Sequence, residues 1–178
     1  MLPKHLVEIG CTGKASLHRM LGPEGRLEIF EANPDHLVEI HRIYQDQPNV
    51  TIYPFALWKE CCTLKLHKQG ASSFIHGIAS PSLINDWSDP KLEDAIDVEA
   101  RTFDQFDDGT IDVMDIDIEG AEWYVIQKMK SRPKHIFVEM GWKEYKNPHY
   151  RQIWDWMFVN DYLLADELGG AYCFQRAI

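Results

Sequence analysis

Four carboxylates crowd one short span, Asp115, Asp117, Glu119 and Glu122, inside the stretch Thr110 to Lys130 that reads TIDVMDIDIEGAEWYVIQKMK. Like charges so close repel, and a fold keeps them only where water, cations or positive ligands screen them. The same stretch changes period: Ile111, Val113, Ile116 and Ile118 interleave with polar residues as in a strand, whereas Ala121, Tyr124, Val125 and Met129 recur at helical spacing. Gly120 stands at the junction. A carboxylate cluster where a strand runs into a helix belongs at the carboxyl edge of a parallel sheet, the edge at which open α/β folds take their ligands. Acids there can attract a cationic ligand or accept a proton from a reacting group.

Two further signals point to the same edge. Leu6 to Ile9 is a short apolar strand interrupted by Glu8 and followed by GCTG at Gly10 to Gly13, then by a helical stretch predicted over Lys14 to Leu21. Glycine is wanted in such a turn because a Cβ would block close approach of the backbone and because positive φ is often required. Arg26 to Phe30 is a second strand, and Glu31 at its tip stands where a carboxylate can accept hydrogen bonds from both hydroxyls of a ribose.

Composition narrows the classes. Twenty-eight acidic against eighteen basic residues give a formal net charge of -10, which opposes nonspecific binding of nucleic acid and of anionic lipid. A neutral or cationic small molecule suits the chain better. No apolar run approaches the roughly 20 residues of a membrane span. The start MLPKHLVEIG enters a strand pattern at once, so no signal peptide and a cytoplasmic location are expected. The four cysteines, Cys11, Cys61, Cys62 and Cys173, have no C-x-x-C spacing and are expected as reduced thiols.

The remaining elements must position those acids. Pro34 opens a helix with Asn33 as its cap, and Leu37, Ile40, His41 and Tyr44 mark its expected inner face. Asn49 to Tyr53 is a third strand, leaving at the same edge through Phe55, Ala56, Leu57 and Trp58; the first three could wall an adenine or simply pack in the core. Thr63 to His67 and Ala95 to Arg101 read as strands, with residues 68–94, rich in serine, glycine and proline, between them as a lid or loop insertion. His76 lies in that loop. Lys134 to Glu139 is a fifth core strand with Glu139 at its carboxyl end, Pro148 to Asn160 an amphipathic helix, and Tyr162 to Asp166 with Ala171 to Gln175 an antiparallel hairpin. Residues 1–178 thus form one domain, α/β in class, with a doubly wound, mostly parallel Rossmann-like sheet closed by the terminal hairpin.

DIDIEGAEWYVI at Asp115 to Ile126 resembles the "ID-x-EGAE-x-x-V" motif of FkbM-type methyltransferases. VEIG at Val7 to Gly10, FEANP at Phe30 to Pro34, NVTIYPFALW at Asn49 to Trp58, ASSF at Ala71 to Phe74, VEARTFDQF at Val98 to Phe106 and HIFVEM at His135 to Met140 follow in the expected order. The resemblance implies the class I methyltransferase fold, S-adenosyl-L-methionine as cofactor and, for most of the family, transfer to oxygen. It implies that Gly10 and the backbone around Cys11 approach the cofactor, that Glu8 orients its amino-acid end, that Glu31 and Ala32 meet the ribose and adenine side with Phe55 and Ala56, and that Asp117 faces the methionine moiety or the substrate. A divalent ion at the carboxylates is compatible with them but is not predicted, and no metal ligand is assigned. Asp117, Glu139 and His76 are the candidates for a catalytic base. The acceptor is expected to be a sugar or other small polar metabolite.

Alternatives stay open at this point. Asp115, Asp117, Glu119 and Gly120 match the opening of a calcium loop, D-x-D-x-[DE]-G, but its last position, which should be a bidentate glutamate, is Ile126. An NAD-dependent dehydrogenase would share the first two strands yet wants G-x-G-x-x-G. A catalytically silent binding or assembly protein on the same fold is the non-enzyme alternative. Trp87, Trp142 and Tyr145 could face either a substrate or a second subunit, making a homo-oligomer conceivable.

Overall fold

The computed structural model describes residues 2–78, 91–142 and 145–177. The strands are β1 (His5–Ile9), β2 (Arg26–Phe30), β3 (Val50–Tyr53), β4 (Ala56–Leu57), β5 (Cys62–His67), β6 (Phe74–Ile75), β7 (Ile96–Arg101), β8 (Val113–Ile116), β9 (His135–Glu139), β10 (Gly141–Trp142), β11 (Tyr145–Lys146), β12 (Tyr162–Leu168) and β13 (Ala171–Arg176), and the α-helices are α1 (Pro34–Tyr44), α2 (Glu122–Ile126) and α3 (Tyr150–Val159). The main sheet runs β12-β13-β9-β8-β1-β2-β3. Strands β3, β2, β1, β8 and β9 are parallel, and β13 alone runs against its neighbours, pairing antiparallel with both β9 and β12.

β1 is the middle one of the five parallel strands, and all five of its residues are buried, as a parallel strand covered on both faces requires. Its side chains alternate between two cores. Val7 and Ile9 join Phe30, Ile116, Ile153 and Met157 on the α3 face, whereas Leu6 joins Leu27, Ile29, Ile40 and Tyr44 on the α1 face. Helix α1 begins as its sequence dictates: Asn33 Oδ1 accepts the Asp35 N–H, and Pro34 occupies the first turn. Its inner face differs from expectation at one position. Ile40 and Tyr44 are buried, but His41 is exposed, because it is rotated about 100° from Ile40; the half-buried Ile43 packs there instead.

Two other departures matter for the site. The helix predicted over Lys14 to Leu21 is only a 3-10 turn, Ser16–Met20, capped at its start by a carboxylate from β1 and ending just before Gly22-Pro23. The strands on either side of the expected lid do not join the main sheet. They form a second sheet, β4-β7-β5-β6, whose core of Trp58, Leu66, Ile75, Val98 and Ala100 includes Ala121. Of the expected loop 68–94, residues 74–75 are strand β6, paired with β5, and residues 79–90, including Trp87, lie outside the described residues, as does the side chain of Trp142. Tyr145, expected in a loop, is buried in β11.

One buried acid fastens the entry to β8. Asp107 accepts the backbone N–H groups of Gly109, Lys130 and Ser131 and the Ser131 hydroxyl, while Ser131 Oγ accepts the N–H of Ile111. β8 is thereby pinned at its amino end to the segment that follows α2. Among the described residues no helix is long and apolar enough to cross a membrane.

Candidate functional site

Three strands of the main sheet end at one level. The ladder continues one residue beyond each: Gly10 N–H donates to the Phe30 carbonyl, Glu31 N–H to the Tyr53 carbonyl and Asp117 N–H to the Ile9 carbonyl, at 2.9, 3.1 and 2.9 Å. Because Ile116 pairs with Val138, Glu139 follows at the level of Asp117. Gly10 has φ +84°, and a Cβ there would fall 1.8 Å from the Asp117 carbonyl oxygen. Only glycine lets the β1 turn pass so close to the tip of β8.

The turn after β8 is shaped from within. The Glu122 carboxylate, fully buried, accepts the N–H groups of Ile118 and Gly120 at 3.0 and 3.1 Å on one oxygen and the Asn147 side-chain amide on the other. These two backbone bonds flank Glu119 and hold it in the left-handed region at φ 56°, a conformation that costs a non-glycine residue on the order of 1–3 kcal/mol. Burial, only partly offset by those bonds, pushes the Glu122 carboxyl up to about 7. Glu122 is thus the brace of the turn rather than one of the acids it presents.

Around these ends lies a cavity of roughly 350 Å³, within the size of a small-molecule site. Its acids are Glu8, Glu31, Asp115, Asp117 and Glu119, and its apolar wall is built from Phe30, Phe55, Leu57, Leu66, Phe74 and Ile75. Glu31 is held by Cys11 N–H on Oε2 at 2.9 Å and by Asn33 N–H on Oε1 at 2.6 Å. Glu8 accepts Ser16 N–H at 2.8 Å and Leu17 N–H at 2.9 Å, so it anchors the 3-10 turn beside the cavity; burial raises its pKa against those bonds. Asp115, bonded to the Ser16 hydroxyl, is pushed up to about 6 by burial and by the charges of Glu8 and Asp117. Burial and the Glu8 charge push the Cys11 thiol up to about 12, which keeps it neutral.

Asp117, Glu119 and Glu139 bring one carboxylate oxygen each within 4.8 Å of one another. Oxygens so close share a proton or a cation more readily than they all ionise. Asp117 is open to the cavity and so to solvent, yet protein walls its other sides, and burial raises its pKa. Glu139 is raised further, by burial first and then by the charges of Asp117, Glu119 and Glu122. Burial and the neighbouring carboxylates thus favour a proton on Glu139, and Asp117 is the member of the pair that opens to the cavity.

All of the expected cofactor residues, Glu8, Gly10, Cys11, Glu31, Ala32, Phe55, Ala56 and Asp117, line this one cavity. Glu139 lies beside it through Asp117. His76 is not brought there: it is exposed on the second sheet with its Nδ1 2.9 Å from His67 Nε2. Four participants escaped the sequence reading: Ser16, His36, Asn147 and the bracing role of Glu122. The Ile118–Glu122 spacing carried a faint signal for the last, since a carboxylate four residues on can reach back to a turn's N–H groups; His36 stands five residues after Glu31, in the first turn of the expected helix, and Ser16 and Asn147 carried no signal. The residues present fit an adenosyl sulfonium ligand, with an apolar wall for a purine, a ribose-height carboxylate and an excess of acid for a cation.

The strand order, the single reversed strand and the cavity over the carboxyl edge define the class I S-adenosylmethionine-dependent methyltransferase fold. Solved structures of that class superpose on the chain. A proposed RNA methyltransferase of Pyrococcus horikoshii aligns with 98% of this chain and 74% of its own at 9% identity and TM-score 0.52. Aeropyrum pernix fibrillarin, solved with S-adenosyl-L-methionine natively bound, aligns with 97% of this chain and 66% of its own at 10% identity and TM-score 0.54. At these identities the likeness is one of fold. No curated protein matches the sequence. The methyltransferase FkbM domain matches residues 10–164, and the chain belongs to that family.

Proposed function

We propose that the protein is an S-adenosylmethionine-dependent O-methyltransferase acting on a hydroxyl of a sugar or other small polar metabolite. The observation that carries this reading is the cavity itself: residues of the family's motifs, from three neighbouring strand ends, converge on one space of small-molecule size. When bound there, the cofactor would supply an electrophilic methyl group on a cationic sulfur. The chain's part is to hold the two reactants in line and to take a proton. Glu31 would accept from the ribose hydroxyls, the wall of Phe55, Leu57, Leu66 and Phe74 would enclose the purine, and Glu8 with Asp115 would set the negative potential around the amino-acid end. Asp117, the member of the Asp117–Glu139 pair that opens to the cavity, would accept the acceptor hydroxyl's proton as the new C–O bond forms, leaving S-adenosylhomocysteine. The acid-rich edge disfavours phosphorylated acceptors, and the net charge of the chain disfavours nucleic acid.

Methyl transfer to a panel of sugars, polyols, amines and thiols, read by mass spectrometry, tests the assignment. Products methylated on oxygen are expected, and Asp117→Asn should lower turnover about a hundredfold while leaving affinity for S-adenosylhomocysteine within a few fold. Transfer confined to nitrogen or sulfur acceptors would overturn the oxygen assignment.

A further inference from the structure

His36, in the first turn of α1, also lines the cavity, and its side chain is only 13% exposed. Its Nδ1 atom is shielded from water and makes no hydrogen bond of regular geometry; Glu31 Oε1 is 3.5 Å away. Nε2 lies 3.4 Å from the Asn33 amide nitrogen. A carboxylate offers about four lone-pair sites. Cys11 N–H fills one on Glu31 Oε2 and Asn33 N–H fills one on Oε1. One site per oxygen is left, which matches the two hydroxyls of a ribose, and a proton on His36 Nδ1 faces the free site on Oε1.

We propose that His36 is a positioning residue whose proton competes with the ribose of an adenosyl ligand for Glu31, so that the ligand binds in exchange for that proton. The inference rests on the adenosyl-cofactor reading above. With Nδ1 protonated, the imidazolium neutralises Glu31 and draws on Oε1. Once Nδ1 is deprotonated, its lone pair turns toward a carboxylate that it cannot engage, and both oxygens are free for the ribose. Three charged groups surround the ring. Glu31 from the end of β2 and Asp35 from α1 favour the imidazolium, and Lys68 from the turn after β5 pairs with Asp35 at 2.9 Å and offsets part of its charge. Their sum raises the imidazole pKa above its ordinary value, with Glu31 the main cause. A ligand that takes Glu31 removes that support and lowers the His36 pKa. By linkage, affinity then rises with pH through the titration of His36, and binding releases a proton in the same window.

The test is calorimetric titration of S-adenosylhomocysteine between pH 5.5 and 8.5, in wild type and His36→Gln, each in two buffers of different ionisation enthalpy. The other acids at the site, Glu8, Asp115, Asp117 and Glu139, are present in both proteins, so any contribution they make cancels in the comparison. Wild-type affinity should rise across this range by on the order of three- to tenfold more than that of His36→Gln, the worth of one competing hydrogen bond, with more protons released on binding. Equal slopes and equal proton counts in the two proteins would overturn the proposal while leaving the cofactor reading intact. Absence of binding by wild type at every pH would overturn both. Nuclear magnetic resonance titration of the His36 ring in wild type provides a second readout, independent of the variant's folding: its pKa should fall when the ligand saturates the site, and an unchanged or raised value would contradict the exchange.

Discussion

Replacing Glu122 with alanine is expected to destabilise the protein by about 4 kcal/mol and to abolish adenosyl-ligand binding. The substitution removes the acceptor of three buried donors at once, the N–H groups of Ile118 and Gly120 and the Asn147 amide. Each stranded donor costs about 1–3 kcal/mol, reduced where the turn can relax toward water. Relaxation has a consequence for the site, because those bonds keep Glu119 left-handed and set the tip of β8 where Asp117 enters the cavity. Denaturant unfolding reads the first effect and ligand titration the second. A pH signature distinguishes this account from simple loss of packing. The folded carboxyl titrates near 7 against an ordinary value of 4.5, so between those limits the folded state binds the extra proton and stability falls as pH rises. Alanine should make the slope of stability against pH shallower over that window. A stable variant with an unchanged slope would show that the brace is not what shapes the turn.

The second large effect is expected at Gly10. Alanine there meets two penalties, the left-handed φ of +84° and a Cβ 1.8 Å from the Asp117 carbonyl oxygen. Positive φ costs a non-glycine residue about 1–3 kcal/mol, and forcing atoms into a packed site commonly costs another 1–3 kcal/mol. A loss of about 4 kcal/mol is therefore expected. The clash can be relieved only by separating the β1 turn from the tip of β8, which moves Cys11 N–H relative to Glu31 and distorts the cavity between Glu31 and Asp117. Affinity for S-adenosylhomocysteine should drop by at least tenfold. Wild-type affinity in Gly10→Ala would mean that the ligand lies elsewhere.

The legible parts of the fold were those written in local pattern. β1, β2, β3, β8 and β9 are apolar runs bounded by glycine, proline or acid, and the terminal hairpin has Gly169 and Gly170 between two alternating runs; each falls within a residue or two of its expected place. The cavity residues were legible because a parallel sheet puts every residue that follows a strand on one edge, so that Gly10, Glu31, Phe55 and Asp117 had to meet. What depends on distant pairing was not. β4 and β6 have two residues each, too few to carry a period, and without them the second sheet could not be told from a loop flanked by strands. In place of the helix expected over Lys14 to Leu21 there is a short 3-10 turn, which Glu8 from β1 caps and which ends before Gly22-Pro23. Asn147 meets Glu122 through the tertiary fold, and His76, which the loop seemed to offer to the site, is bonded to His67 on the second sheet instead.

An adenosyl site is tested most directly by calorimetric titration of the purified, ligand-stripped protein with S-adenosylmethionine, S-adenosylhomocysteine and NAD, repeated in Glu31→Ala. Saturable one-site binding of the two adenosyl compounds, none of NAD, and a loss of at least tenfold in the variant are the predicted results. Folded protein that binds neither adenosyl compound would contradict the account and leave a binding or assembly role on a methyltransferase fold as the reading to pursue.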